Sequence, residues 1–372
     1  MVAILMNPSF NSMKTNVLFL CMVVSSLLFS CKKDTPTEKP IVVDPETVGF
    51  YICCEGLMNG NNGILSYYDV KNNQLHKDYF KTQNQRGLGD TPNDLKIYGS
   101  KMYCVVNLSN TVEVMDAATA ISIRRISLTA DNGNGRQPRQ ITFHKNKAYV
   151  CSFDGTVVRI DTASLAVETI VECGRNPDGI CVSNNKLYVS NSGGLDFGNP
   201  DNTVSVIDIE TFTEIKRITV VANPGKILAD SEGDVYLISR GNYGNISSAF
   251  QRIDSQTDEV VQVFEPLNVT NFTICGDVAY LFYNHDYIGS SWFKTFDCKT
   301  EQIINESFIS DGTVINKPYG INVNPLNGDV YITDVYNFTI QGDVHCFDKN
   351  GKQKFKIENV GLNPNVTVFL NK

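Results

Sequence analysis

Residues 176–191 read NPDGICVSNNKLYVSN, and the same wording returns as NPGKILADSEGDVYLIS at 223–239 and KPYGINVNPLNGDVYIT at 317–333. Each copy starts near a proline, runs through apolar, partly β-branched residues, crosses a turn and ends around a tyrosine. Self-similarity at a fixed spacing marks an array of supersecondary units, so the period decides the fold.

A second marker gives that period. An aspartate closes a short β-branched or aromatic run at Asp69, Asp116, Asp161, Asp208, Asp254, Asp297 and Asp348, with successive gaps of 47, 45, 47, 46, 43 and 51 residues. An Asp side chain at the first position of a tight turn accepts backbone N–H groups two or three residues on, so these are turn formers rather than catalytic groups. The proline marker sits at Pro92, Pro138, Pro177, Pro224, Pro318 and Pro364, while TNFTI at 270–274 holds the remaining register without one. Proline at a strand's first residue forfeits no ladder hydrogen bond. Between the markers lie four short β-rich runs per unit, and no stretch has convincing helical periodicity. Four antiparallel strands repeated seven times predict an all-β, seven-bladed β-propeller over residues 49–372. The first unit, 50–80, holds only three strands. NVTVFL at 365–370 carries an innermost-strand proline and is expected to complete that blade and close the ring.

KLYVSN at 186–191, with KMYCVVN, KAYVCSF, DVYLISR and DVYITD in other units, resembles the tyrosine strand of the YVTN-repeat, YncE-like seven-bladed propellers. That likeness covers about 320 residues. It implies the fold and leaves function open, because propellers host enzymes, scaffolds and receptors alike.

Residues 13–31, MKTNVLFLCMVVSSLLFSC, have the layout of a secretory signal, with one lysine ahead of an apolar run. Residues 1–12 add nothing such a signal needs, which makes Met13 the expected start. The apolar run is short for a membrane-spanning helix. Cys31 directly after Ser30 resembles the lipobox of bacterial lipoproteins, which implies cleavage of a 1–30 signal peptide and acylation of Cys31. Residues 31–48, with three prolines and mixed charge, read as an extended tether.

The chain carries a net charge of −8, and no dense Lys/Arg stripe interrupts it, which argues against nucleic acid as a partner. Of 11 cysteines, none forms a CxxC pair, and most lie in apolar runs as small buried hydrophobes. His76, His144, His285 and His345 are scattered, whereas a zinc site needs three or four ligands. Asp90, Asp94, Asp178 and Asp334 could contribute to a calcium site of the kind lactonase propellers carry, but their spacing forms no consistent set. No catalytic constellation and no metal site is expected.

Strand parity places the loops. Connections between first and second strands and between third and fourth share one face, and these are short. Second-to-third-strand and blade-to-blade loops share the opposite face, and these are long, as at 55–62, 191–202, 240–249, 284–291 and 334–341. Elaborated loops on a rigid scaffold are where binding usually resides. That face carries aromatic rings and arginines, which suit a large polar ligand with flat rings. The candidate ligand-binding residues are Arg86, Arg136, Phe153, Asp178, Phe197, Arg240, Tyr243, Tyr287, Trp292, Tyr319, Tyr336 and Phe338. Arg139, Asp178, Lys226, Tyr319 and Asn365 follow the blade prolines; strict strand alternation would send about half of them to the channel and bury the rest.

Lipidated propellers of this type resemble the vitamin B12-capturing lipoproteins of gut bacteria. That resemblance implies a surface-exposed protein, lipid-anchored in the outer membrane, which captures cobalamin or a related corrinoid. It would deliver the ligand to a TonB-dependent outer-membrane transporter. Siderophore or haem capture by the same face, a cell-surface interaction scaffold, and a propeller lactonase or lyase are the alternatives.

Overall fold

All seven innermost strands begin where the proline register places them: Pro92–Tyr98, Pro138–His144, Pro177–Ser183, Pro224–Ala229, Asn271–Cys275, Pro318–Val323 and Pro364–Asn371. A computed structural model describes residues 45–284 and 291–372. They form seven four-stranded antiparallel sheets, the blades of a closed propeller. The signal, Cys31 and most of the tether lie outside the described residues. The first strand starts at Thr47, two residues ahead of the expected boundary.

The C-terminal strand Pro364–Asn371 pairs antiparallel with Thr47–Cys54 and so supplies the first blade's innermost strand. Glu46 and Lys372 exchange backbone hydrogen bonds of 2.9 Å at the far end of that pairing. Ring closure therefore joins the two ends of the propeller in one sheet, which leaves no open edge between first and last blades.

Local chemistry explains the hairpins. Asn184 (φ 46°) and Asn185 (φ 56°) make the two-residue link between strands ending at Ser183 and starting at Lys186. Two consecutive positive φ values match the twist of the strands they join, and Asn tolerates them. At the third-to-fourth-strand turns the aspartates do what the sequence required. Asp161 Oδ1, for example, accepts from Ala163 N at 3.1 Å and Ser164 N at 2.7 Å. The Ser164 N–H, together with the Lys147 ammonium and the Ser164 hydroxyl, holds its carboxyl far below the usual carboxylate range.

The core is distributed. Each of the seven blade–blade seams carries its own apolar cluster, including the seam between the last blade and the first. One tyrosine per second strand, at Tyr51, Tyr103, Tyr149, Tyr188, Tyr236, Tyr280 and Tyr331, sits in these seams. Tyr236 Oη donates to Cys298 O at 2.8 Å in the next blade, and Tyr188 reaches Asp258 in the same way. In these two blades the tyrosine is an inter-blade strut, whereas the Tyr51 and Tyr103 hydroxyls are buried in their seams without a hydrogen-bond partner among the described residues. The nine described cysteines are free thiols, most of them buried.

Against expectation, one short α-helix, Tyr79–Asn84, leads into the loop after the first blade. Six residues are too few to show a helical period, and an isolated helix of that length would not persist. Phe80, fully buried in the seam cluster, anchors it, and Asn84 Nδ2 ties it to Phe80 O and Ala120 O at 2.9 Å each. No helix among the described residues is long and apolar enough to cross a membrane.

Candidate functional site

The prolines shape the channel. In five blades the inner ladder breaks just after the proline, as between Pro138 and Gln140 and between Pro177 and Gly179, and the first blade breaks opposite Pro364. The blade that lacks the proline pairs without a break from Asn271 to Cys275. Proline has no N–H for the ladder, and the extra residue that follows is a β-bulge, which re-aims its side chain. Arg139, Asp178, Lys226, Tyr319 and Asn365 consequently all line one central cavity of ≈ 410 Å³, together with Asn93. Strict alternation fails here because a bulge adds one residue to the register.

At the loop-face mouth these residues, Lys226 excepted, form one connected polar belt with Glu55 and Arg240. Arg139 Nε donates to Asp178 Oδ1 at 2.9 Å, and Arg240 Nη1 donates to Asp178 Oδ2 at 3.0 Å. Arg139 Nη1 also reaches Asn93 Oδ1 at 2.6 Å. Glu55 accepts from Tyr319 Oη at 2.9 Å and from Asn365 Nδ2 at 2.7 Å. Burial alone would raise the Asp178 carboxyl, but the two guanidinium groups hold it below the ordinary range. Glu55 behaves oppositely: burial raises its carboxyl despite the hydrogen bonds from Tyr319, Asn93 and Asn365 and the charge of Arg139. Burial, followed by the Glu55 charge, drives the Tyr319 hydroxyl well above its usual value.

Above the belt, loops of the fifth, sixth and seventh blades enclose a cleft of ≈ 660 Å³. Arg240, Thr270 and Tyr319 line both spaces, so the cleft and the channel share a wall. Tyr243 and Phe338 stand on opposite loops of the cleft, and Lys317 Nζ lies 5.2 Å from the Phe338 ring centroid. The Tyr319 and Phe338 rings meet edge to face at 5.5 Å. Tyr243 (φ 55°) and Phe338 (φ 65°) both occupy left-handed backbone. For bulky side chains that conformation costs on the order of 1–2 kcal/mol each, and such strain concentrates at functional sites. Tyr243 is 67 % exposed all the same.

Of the twelve candidate positions, Arg240, Tyr243, Tyr319 and Phe338 come together in the cleft, with Asp178 directly beneath. The others are placed elsewhere. Arg86 is tied to the buried Glu113 at 2.8 Å and stacks on Phe80, which fastens the helix loop to the second blade. Arg136 pairs with Asp154 at 2.6 Å. Phe153 supports the belt from one side, with the Arg139 guanidinium 4.5 Å from its ring centroid. Phe197 projects from its own loop, 76 % exposed. Trp292 packs beside Tyr283 under Lys294, and Tyr336 donates to Asp343 of its own blade. Tyr287 and His285 lie outside the described residues. Of the four aspartates weighed for calcium, Asp334 is committed to backbone N–H groups of Asn316 at 2.7 Å, Lys317 at 2.9 Å and Tyr336 at 3.0 Å. No group of three or more His, Cys, Asp or Glu side chains among the described residues could hold a metal ion.

Glu55, Asn93 and Lys317 were not among the candidates. Glu55 and Arg240 are each the first residue after a second strand, as are Phe153 and Asn284. The same register holds Asn107, Ser192 and Val335 in other blades, which line neither space, so it does not single out Glu55.

A family profile described as Domain of unknown function (DUF5074) matches residues 48–370. The chain belongs to this family. No curated protein matches the DUF5074 chain. Solved structures give its fold. A quinonprotein alcohol dehydrogenase-like protein from Bacteroides thetaiotaomicron superposes with a TM-score of 0.61 at 16% identity, covering 87% of this chain and 78% of that one. Hydrazine synthase of Kuenenia stuttgartiensis superposes with a TM-score of 0.57 at 17% identity, over 70% and 77% of the two chains. The computationally designed Ika8 protein reaches a TM-score of 0.54 at 14% identity, over 84% and 85%. At such identities the likeness concerns architecture alone, and the neighbours' activities do not transfer to this DUF5074 member.

Proposed function

We propose that the loop-face cleft captures a small polar ligand with a flat ring system. The observation that carries this reading is the convergence of strained Tyr243 and Phe338 with Arg240 and Lys317 around ≈ 660 Å³ of open space. That volume lies in the range of ordinary small-molecule sites, roughly 300–1,000 Å³. Aromatic planes offer contact area at low entropic cost, and the cations direct hydrogen bonds. Among flat polar ligands, cobalamin or a related corrinoid is the first choice, on the strength of the family resemblance. On the same basis the protein is an outer-membrane lipoprotein, anchored through Cys31, that hands its ligand to a TonB-dependent transporter. A corrinoid would fill the cleft and extend beyond it, leaving part of its surface for such a partner.

Titration calorimetry with cyanocobalamin, a ferric siderophore and haem tests the reading. Saturable binding of one of the three, weakened at least tenfold by Y243A and by F338A with Tm unchanged, is the expected result. Absence of binding by all three sinks capture of these ligands and leaves the surface-scaffold alternative standing.

A further inference from the structure

The channel below the polar belt has a chemistry of its own. Its charged lining comprises Lys96, Arg139, Lys226 and Arg240 against Glu55, Asp94 and Asp178, four cations to three carboxylates, within a chain of net charge −8. Asp178 neutralises between Arg139 and Arg240, as described above. Lys96 lies 3.7 Å from Asp94 and donates to Ile141 O at 2.5 Å.

Lys226 differs from the other three. Its Nζ donates to Asn271 Oδ1 at 3.0 Å, and no carboxylate comes within ion-pair distance of it among the described residues. The ammonium has two further protons to donate, and Lys226 lines the cavity. Burial pushes it down to about 8, with Asp94 opposing and Lys96 adding to the fall. A buried cation lacking a paired counter-charge is costly unless something completes it. The cavity lining also includes neutral residues with hydrogen-bonding capacity, among them Gln140 and Thr273.

We infer that the channel is an oxyanion subsite, in which Lys226 seats the carboxylate or phosphate group of a ligand whose body occupies the cleft above. The inference rests on the cleft reading for the body of the ligand and on the channel's own residues for the anion. The wall shared through Arg240, Thr270 and Tyr319 is the route between the two. A net positive lining inside an acidic protein attracts an anion that the outer surface repels, which confines binding to this one place.

The test uses full propeller protein and two probes, inorganic phosphate and acetate, titrated at pH 7 against potassium chloride at matched ionic strength. Calorimetry and thermal unfolding should both show saturable binding of at least one probe. K226M should weaken it at least tenfold, and K226R should stay within about threefold of wild type, because arginine keeps the charge and donors. Phosphate also stabilises proteins generally through exclusion from their surface, but that effect is unsaturated and equal in wild type and K226M. Each variant's own cooperative melt reports whether it folds. Absence of saturable binding of either probe, or equal binding in K226M, overturns the subsite. The panel of ring-bearing ligands reports on the cleft separately. A bound panel ligand with no anion binding removes this inference alone, and anion binding without a panel ligand removes only the cleft reading.

Discussion

Replacing Asp178 by asparagine attacks the belt at its most connected atom pair. The carboxylate accepts from Arg139 at 2.9 Å and from Arg240 at 3.0 Å, and its side chain is 9 % exposed. Asparagine keeps the shape but turns one acceptor into a donor aimed at a guanidinium, and leaves two cations without their shared partner. Removing one member of a buried ion pair costs roughly 3–5 kcal/mol; the lower end, ~3 kcal/mol, applies because the Arg240 side chain is 41 % exposed and water screens it. With an unfolding entropy of about 2.1 cal/mol/K per residue, a propeller of roughly 330 residues has about 0.7 kcal/mol/K, so Tm should fall by about 4 °C. Scanning calorimetry at pH 7 measures this. The pH dependence gives a second reading. A carboxyl held below its unfolded value contributes its stability above that value and loses it as pH falls through the folded one. The wild-type advantage over D178N should therefore be flat between pH 5 and 7 and close below about pH 4. A Tm change under about 1 °C, or a gap that widens towards acid, would refute the reasoning.

Lys226 predicts a slope of the same sign, stability rising with pH, but in the alkaline window. Its ammonium is pushed from 10.5 to about 8, so the native state releases that proton first and wild-type stability should climb between pH 8 and 10 relative to K226M. The gain is at most ~3 kcal/mol. Urea unfolding of both proteins across that window measures it, and parallel curves would contradict the burial of this charge. A Cβ on Gly320 would stand 1.7 Å from the Asn365 carbonyl oxygen, on the strand that closes the ring. G320A should cost about 3 kcal/mol or more through displaced backbone, read as a lower Tm; an unchanged Tm would show that this seam is looser than described. Deleting residues 364–372 removes the first blade's innermost strand and should abolish the single cooperative melt. A soluble, sharply melting truncation would disprove the closure.

The architecture was legible because it is periodic. Pro177, Asp208 and Tyr188 each act within a few residues of chain or across one blade seam, and their repetition signals the same local event seven times over. The site was legible only in part. Arg240, Tyr243, Tyr319 and Phe338 were visible as loop-face aromatics and cations, but so were Arg86 and Trp292, which belong to other neighbourhoods. Nothing along the chain distinguishes the two groups, because the difference lies in which blade each loop leans towards. Glu55 was hidden for another reason, since its partners Tyr319 and Asn365 lie 264 and 310 residues away.

By itself, then, the sequence determined the ring: the period, the blade count, the turn aspartates and the borrowed last strand. These depend on backbone preferences and strand pairing, which act at short range or repeat. Tertiary structure alone decided the belt around Asp178, the pairing of the cleft with the channel and the isolation of Lys226. Those follow from bulges beside the blade prolines, and from distances across an axis that no spacing along the chain records.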